Sequence, residues 1–509
     1  MIHASNENPV LESSRLASLT SWDADWSGLR VLVVGIGVSG FAAADTLIEL
    51  GARVVVVDGR DDETNRNRAQ TLRIVGAADV VLGGAAMTEL ARVDGQVPDL
   101  VVTSPGFTPG HPVLAAAVRE GVQIWGDVEL AWRIRERAGR RTAQWVCITG
   151  TNGKTTTVQM AEAMLQAGGL KAIAVGNVGT PILDALRDPV EYDVLAVELS
   201  SFQLHWQHSV SALAATCLNV AEDHVDWHGG FENYVADKSR IYERCQVAAV
   251  YNTADPRTRE MVEEADVLED CRAVGFTTGH PEISMLGVVE ELLVDRAFLA
   301  ERRHRAIEVG EVVSLKPVPT AHGVSNALAA AALARAAGVS GEDIAAGLRA
   351  WEPGGHRIQP VARTHGVVWI DDSKATNPHA ADASLSAFDS VVWIAGGLAK
   401  GTDSHDLVAR HAHRLRAVVL IGTDNRRLEA ALAEAAPAVP VIPAATGVAD
   451  ATDGDAVMSA AVEAAHRVAV EGDTVLMAPA AASMDQFRDY AHRGDAFAQS
   501  VARLVERLS

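Results

Sequence analysis

Apolar residues in this chain come in short unbroken runs, each followed by a turn rich in glycine or acid and then a stretch with helical spacing. "LRVLVVGIGVSGFAAADTLIELGARVVVVDGR" has this form: a run, a glycine turn, a helix, a second run, and Asp58 at its end. A second block opens with "AQWVCITGTNGKTTT" and continues through "YDVLAVELSSFQL" and "ALAATCLNVAEDH". A third holds "GVVWIDDSKAT", "SVVWIAGG", "AVVLIGTD" and "DTVLMAPA", separated by helical patterns such as "NRRLEAALAEAA". Runs without alternation predict strands buried on both faces, and strands alternating with helices predict parallel sheets with crossover helices. The expected fold is therefore α/β in three blocks, with boundaries near "GVQIWGDVEL" at 124 and "WEPGGHRI" at 354, where Pro353, Gly354 and Gly355 suit a hinge. Mixed alternation over 276–318 reads as an antiparallel edge or loop region, and the polar residues 1–28 read as a loose arm.

The length of 509 residues exceeds what one core can organise, in keeping with several domains. A formal net charge of -22 argues against general nucleic-acid or anionic-membrane binding, although local Lys and Arg can still gather small anions. The four cysteines show no close pairing in sequence and suit a reducing compartment. No apolar stretch is long enough to span a bilayer, and the start lacks a basic segment followed by an apolar one. A cytoplasmic location is expected.

Candidate chemistry lies at the ends of the apolar runs. Gly35, Gly37 and Gly40 spell G-x-G-x-x-G with Asp58 beyond them, a turn that lets a diphosphate approach a helix N-terminus. NAD, another nucleotide, or no ligand at all are each compatible with this motif alone. "TGTNGKTTT" at 149–157 is stronger, yet it is shorter than the usual G-x-x-x-x-G-K-[ST] loop, since Ile148 stands where the first glycine belongs. Gly150 and Gly153 permit close backbone approach, Lys154 can reach terminal phosphates, and Thr155 offers a hydroxyl to Mg2+. Glu198 ends the run "DVLAVE", where a second metal-binding oxygen would sit, or else it caps a helix. His224 follows a strand and Lys238 sits in "NYVADKSRIYE"; each alone reads as structural or solvated. In the third block Arg357, Asp372, Ser373, Lys374 and Thr376, then "GGLAKG" with Lys400, then "APAAASMDQFRDY", follow successive strands, the sheet edge where open α/β folds bind ligands.

Taken together, "TGTNGKTT", "ELSSFQL", "LNVAEDHVDWH", "DKSRIY", "HRI", "DDSKATN", "GGLAKG" and "PAAASMDQF" resemble the Mur ligases, in family order from about residue 30 to the C-terminus. The shortened loop is the form those ligases use. The resemblance implies three domains: a Rossmann-like UDP-binding domain at 1–124, a central P-loop ATPase domain with a mostly parallel sheet at 125–354, and a C-terminal Rossmann-like domain at 355–509. It implies an ATP- and Mg2+-dependent amide ligase of peptidoglycan precursor synthesis. The D-glutamate-adding member is the one matched, with UDP-N-acetylmuramoyl-L-alanine and D-glutamate as substrates, no nucleic acid, no membrane insertion, and a monomer.

By the same resemblance Gly150, Thr151, Asn152, Gly153, Lys154, Thr155, Thr156, Asn326, Arg357 and Asp372 bind ATP. Thr155, Glu198, His224 and a carbamylated Lys238 hold metal, and Lys154, His224 and Lys238 serve catalysis. Val38, Ser39, Asp58, Arg60, Gly106, Asn177 and Gln203 face the UDP-substrate, and Thr376, Lys400, Ser483 and Tyr490 face D-glutamate. The chain departs from the pattern at Gly323, where relatives commonly have Asn, and at Tyr490, where an aromatic without hydroxyl is familiar. The Asp-Asn-Pro-Arg motif of the diaminopimelate-adding relative is absent. An NAD-dependent oxidoreductase would leave the loop at 150–156 unused, and a nucleotide-regulated binding protein would leave the third-block loops unused.

Overall fold

The computed structural model describes residues 14–177, 179–316, 319–398, 403–446 and 448–508. The chain forms two compact units, one of Met1–Glu311 with Ser325–Trp351 and one of Val312–Val324 with Glu352–Ser509.

The first unit holds two sheets. One has five parallel strands in the order Asp79–Leu82, Arg53–Asp58, Arg30–Val34, Leu100–Thr103, Gln123–Gly126, and so extends past residue 124. Within a single run, Val31, Val33, Val54 and Val56 join one core cluster while Leu32, Val34, Val55 and Val57 join another. Successive side chains point to opposite faces, and both faces are covered; hence the runs do not alternate with polar residues.

The other sheet has nine strands. Within it Gln144–Thr149 is flanked by Val194–Glu198 and Ala214–Cys217, all parallel. The far edge turns antiparallel through Met285–Val289, Leu292–Asp295 and Ile307–Glu311, which is the expected antiparallel region.

The arm expected to be loose is not so over its described part. Leu16, Leu19 and Trp26 are 2%, 0% and 1% exposed and belong to the same core as the first two sheets. Trp26 meets Trp125 edge-on at 6.5 Å, the Trp22 amide donates to the Glu136 carbonyl at 2.7 Å, and Arg133 donates to the Leu16 carbonyl at 3.2 Å. Leu16, Leu19, Trp22 and Trp26 recur at near-helical intervals, an apolar stripe hidden by the polar residues around it.

The second unit holds a six-stranded sheet. Gln359–Thr364 pairs antiparallel with Val367–Asp371, and the remaining strands are parallel. Thr474–Met477, the last strand in sequence, inserts between Val367–Asp371 and Val391–Ala395. Their C-terminal ends therefore lie side by side and bring "DDSKAT", "GGL" and "APAAAS" to one edge.

Candidate active site

The strand Gln144–Thr149 runs into the loop and then the helix Lys154–Ala167. Gly150 and Gly153 both have left-handed backbones, with φ of 146° and 85°. At Gly153 a Cβ would stand 2.5 Å from Asn326 Oδ1, so the loop and Asn326 are in direct apposition. The loop is braced from outside itself. Asn152 and Asn219 exchange hydrogen bonds of 2.9 and 3.2 Å, the Thr151 amide donates to the Asn219 carbonyl at 2.9 Å, and the Thr151 and Tyr234 hydroxyls lie 2.8 Å apart. Lys154 Nζ donates to the Gly150 and Thr151 carbonyls at 2.8 and 2.9 Å. Thr155 and Thr156 follow on the first turn of the helix, Thr155 buried and Thr156 half-buried.

Lys238, 2% exposed on the helix Phe231–Ser239, donates to the same Gly150 carbonyl at 2.9 Å. Burial, and then the nearby Lys154 charge, push its amine down to about 7. Its neighbour Asp237 is gripped by two histidines, His205 Nδ1 at 2.8 Å and His228 Nδ1 at 2.7 Å, while His228 Nε2 reaches Ser201 at 3.0 Å. His224 has a left-handed backbone, φ 52°, and its ring meets Phe202 edge-on at 4.8 Å.

Glu198, 1% exposed, ends the strand beside the loop. Its Oε1 accepts from Asn177 Nδ2 at 3.1 Å, and its Oε2 is buried with no hydrogen-bond partner among the described residues. A buried carboxylate oxygen left bare is costly, and it suits a hard cation with phosphate and water as further ligands. Among the described residues no three His, Cys, Asp or Glu side chains converge as a closed metal site requires.

Gln203 caps its own helix reciprocally with Ser200 and donates to Asp127 at 3.3 Å. Asp127 is buried, and burial pushes its carboxyl up; Ser39 of the glycine turn is half-buried. In the glycine turn, a Cβ at Gly40 would sit 2.0 Å from the Gly35 carbonyl. Val38, Arg60 and Gly106 are exposed around it. Asp58 braces that turn, its Oδ2 accepting from the Ile36 amide at 2.8 Å and its Oδ1 from the Arg60 amide at 2.8 Å.

In the second unit Asp372 is buried, accepts from the Ile358 amide at 3.2 Å and from Ser384, and is pushed up to about 6 by burial. Ser373 donates to the Tyr490 carbonyl at 2.7 Å, and Lys374 Nζ lies 3.8 Å over the Tyr490 ring. Buried Arg493 ties these loops together, donating to Ser373 Oγ at 3.0 Å, the Ser373 carbonyl at 2.9 Å and the Ala481 carbonyl at 3.1 Å. Thr376 is half-buried beside them and Ser483 is buried. Lys400 lies outside the described residues.

Asn219, Tyr234, Asp127 and Arg493 escape sequence reasoning. Only Asn219 and Asp127 carry a signal, as polar residues directly after apolar strands.

A short phosphate loop on one parallel sheet, a glycine turn on another and a ligand-edge cluster on a third define a nucleotide-dependent ligase of the Mur type, and the chain belongs to the Mur ligase family. Residues 29–126 match the Mur ligase MurD-like N-terminal domain, 148–334 the Mur ligase middle domain, and 356–481 the Mur ligase glutamate ligase domain. The UDP-N-acetylmuramoylalanine--D-glutamate ligase of Streptomyces avermitilis is 54% identical over 94% of this chain and 99% of that protein. The protein of the same name from Leifsonia xyli is 51% identical over 96% and 95%. The solved MurF of Acinetobacter baumannii, 17% identical, overlaps 94% of each chain with a TM-score of 0.57, a likeness of fold.

Proposed function

We infer that this chain is an ATP-dependent ligase that joins D-glutamate to UDP-N-acetylmuramoyl-L-alanine in peptidoglycan precursor synthesis. Full-length identity above half to D-glutamate ligases supports the substrates. The observation that carries the ATP half is the loop at 150–155, where two left-handed glycines and two lysine amines surround one helix N-terminus.

A carboxylate is a poor electrophile, so the alanyl carboxylate oxygen first attacks the γ-phosphorus of ATP. The bond to the β-γ bridging oxygen breaks, ADP leaves, and an acyl phosphate forms. The neutral amine of D-glutamate then attacks the acyl carbon, the carbon–oxygen bond to phosphate breaks, and the amine sheds a proton. Lys154 turns from its loop carbonyls to the phosphates and offsets charge on the transferring group. Asn326 abuts Gly153 and contacts adenine, and Arg357 and Asp372 contact the nucleotide. Mg2+, where bound, would be held by Thr155 and Glu198, and a second ion by His224 and a Lys238 carbamate; it supplies positive charge to the phosphates. Buried Lys238, with its amine pushed down, suits carbamylation, in which the neutral amine adds CO2 and loses a proton.

The UDP-sugar belongs to the first sheet, with Val38, Ser39, Arg60 and Gly106 at the glycine turn and Asn177 and Gln203 toward the muramoyl-alanine. Asp58, which braces the turn through the Ile36 and Arg60 amides, also faces the UDP-substrate. Thr376, Lys400, Ser483 and Tyr490 receive D-glutamate. No helix among the described residues is long and apolar enough to cross a membrane. The use of ATP supports a cytoplasmic reaction, and we propose a monomer.

Substrate labelled with ¹⁸O in the alanyl carboxylate tests the chemistry. One label should appear in the released phosphate; unlabelled phosphate would exclude the acyl phosphate.

A further inference from the structure

Arg357 sits between two residues with left-handed backbones, His356 at φ 62° and Ile358 at φ 42°. Neither is glycine, and a β-branched residue takes this conformation only when its surroundings impose it. The surroundings here are two consecutive buried acids at the end of one strand. Asp372 Oδ1 accepts from the Ile358 amide at 3.2 Å. Asp371 Oδ2 accepts from His356 Nδ1 at 2.6 Å, and its Oδ1 accepts from the Ser373 amide at 2.9 Å. The imidazole is fixed on its other sides as well. Its Nε2 faces Asp495 at 3.8 Å, and a Cβ at Gly494 would stand 2.0 Å from Nδ1, so the ring lies flush on that helix. The His356 amide donates to Gln359 Oε1 at 2.9 Å, and its carbonyl accepts from the Lys374 amide at 3.2 Å.

We propose that His356 is a positioning residue for Arg357. Its side chain, clamped between Asp371 and the Gly494 surface, holds the double left-handed bend that aims the guanidinium. The inference rests on the reading of Arg357 as a nucleotide contact. Asp371 and Asp372 then divide the work, one holding the residue before Arg357 and the other the residue after it. An unclamped bend would relax toward ordinary backbone and swing the guanidinium off target, while the amino-acid pocket would lose only the edge-on contact of the imidazole with Tyr490.

A double-mutant cycle on the whole protein tests this, reading KM for ATP, KM for D-glutamate and kcat separately. Arg357→Ala and His356→Ala should each raise KM for ATP about 10- to 100-fold, the range of a lost hydrogen bond to a charged group. KM for D-glutamate should rise less than KM for ATP in His356→Ala, whose lost ring meets Tyr490 edge-on at 6.4 Å, and stay at its wild-type value in Arg357→Ala. The double variant should be no worse than Arg357→Ala alone, because a positioning residue has no effect once its client is gone. His356→Asn should recover most of the loss, since asparagine tolerates a left-handed backbone and keeps an N–H donor for Asp371. If His356→Ala fails to fold, Gly494→Ala dislodges the ring without altering residues 356–358 and should raise KM for ATP alike. A normal KM for ATP in the folded His356→Ala or Gly494→Ala protein, with Arg357→Ala impaired, overturns the proposal. So do effects that multiply in the double variant. An unimpaired Arg357→Ala instead overturns the reading beneath it.

Discussion

Replacing Gly153 with alanine perturbs the loop at its tightest point. The residue has φ 85° and ψ −15°, and its new Cβ would stand 2.5 Å from Asn326 Oδ1 and 3.2 Å from Asn326 Cγ. Two costs add. A left-handed L-residue costs about 1–2 kcal/mol. Turning the Asn326 amide away through a poor rotamer costs about 0.5–1.5 kcal/mol. Together they come to about 1.5–3.5 kcal/mol, or about 10- to 300-fold in an equilibrium constant. The protein can keep the loop and lose stability, or relax the loop and lose ATP affinity. Calorimetric titration with a non-hydrolysable ATP analogue and thermal unfolding of the free protein measure both parts, which should sum to that range. Measured against Asn326→Ala rather than wild type, so that the lost adenine contact cancels, Gly153→Ala should cost only the backbone share. Unchanged affinity and unchanged unfolding would refute the reasoning.

Other perturbations have defined signs. Lys154→Ala should lower the ligation rate about 10²- to 10³-fold with the fold intact by circular dichroism, as for loss of one preorganised charge contact; near-normal turnover would remove the loop from the mechanism. Glu198→Gln should leave the metal-free protein at least as heat-stable as wild type, because it removes a buried charge with one bare oxygen, yet it should abolish the Mg2+ dependence of ATP binding; a large loss of stability would show that the carboxylate serves the fold. Asp372 has its folded pKa raised from 3.8 to about 6. Its contribution is therefore full below the unfolded value and lost as pH rises through about 6, a change of about 3 kcal/mol. Asp372→Asn should thus be more stable than wild type at pH 8 and not at pH 4; a pH-independent difference contradicts this. Glu129 accepts from the His208 amide, the Ser209 amide and hydroxyl, and Arg133 Nε, all between 2.6 and 2.8 Å. Glu129→Ala should cost about 3–5 kcal/mol, read by chemical denaturation.

Strands were legible because burial on both faces leaves unbroken apolar runs. Their order was not, since nothing local in "DTVLMAPA" announces that it enters the middle of its sheet. The described part of the arm was misread because composition outweighed the spacing of Leu16, Leu19, Trp22 and Trp26. The loop was legible as a contiguous motif, whereas its braces Asn219 and Tyr234 stand 67 and 83 residues away in the chain. Lys238 looks solvated in isolation, and only the placement of its helix buries the amine beside Gly150. Asp58 shows the opposite limit. Its position after the glycine turn marks it for the UDP-substrate, but nothing in the sequence announces that its two oxygens also hold the backbone amides of Ile36 and Arg60.

The central claim is tested most directly by ADP release from the purified protein with ATP and Mg2+, adding the other substrates singly and together. Release should require both UDP-N-acetylmuramoyl-L-alanine and D-glutamate, with one ADP per amide formed, and L-glutamate should not replace the D-isomer. Turnover that ignores the UDP-substrate, or that uses L-glutamate equally well, would contradict the account.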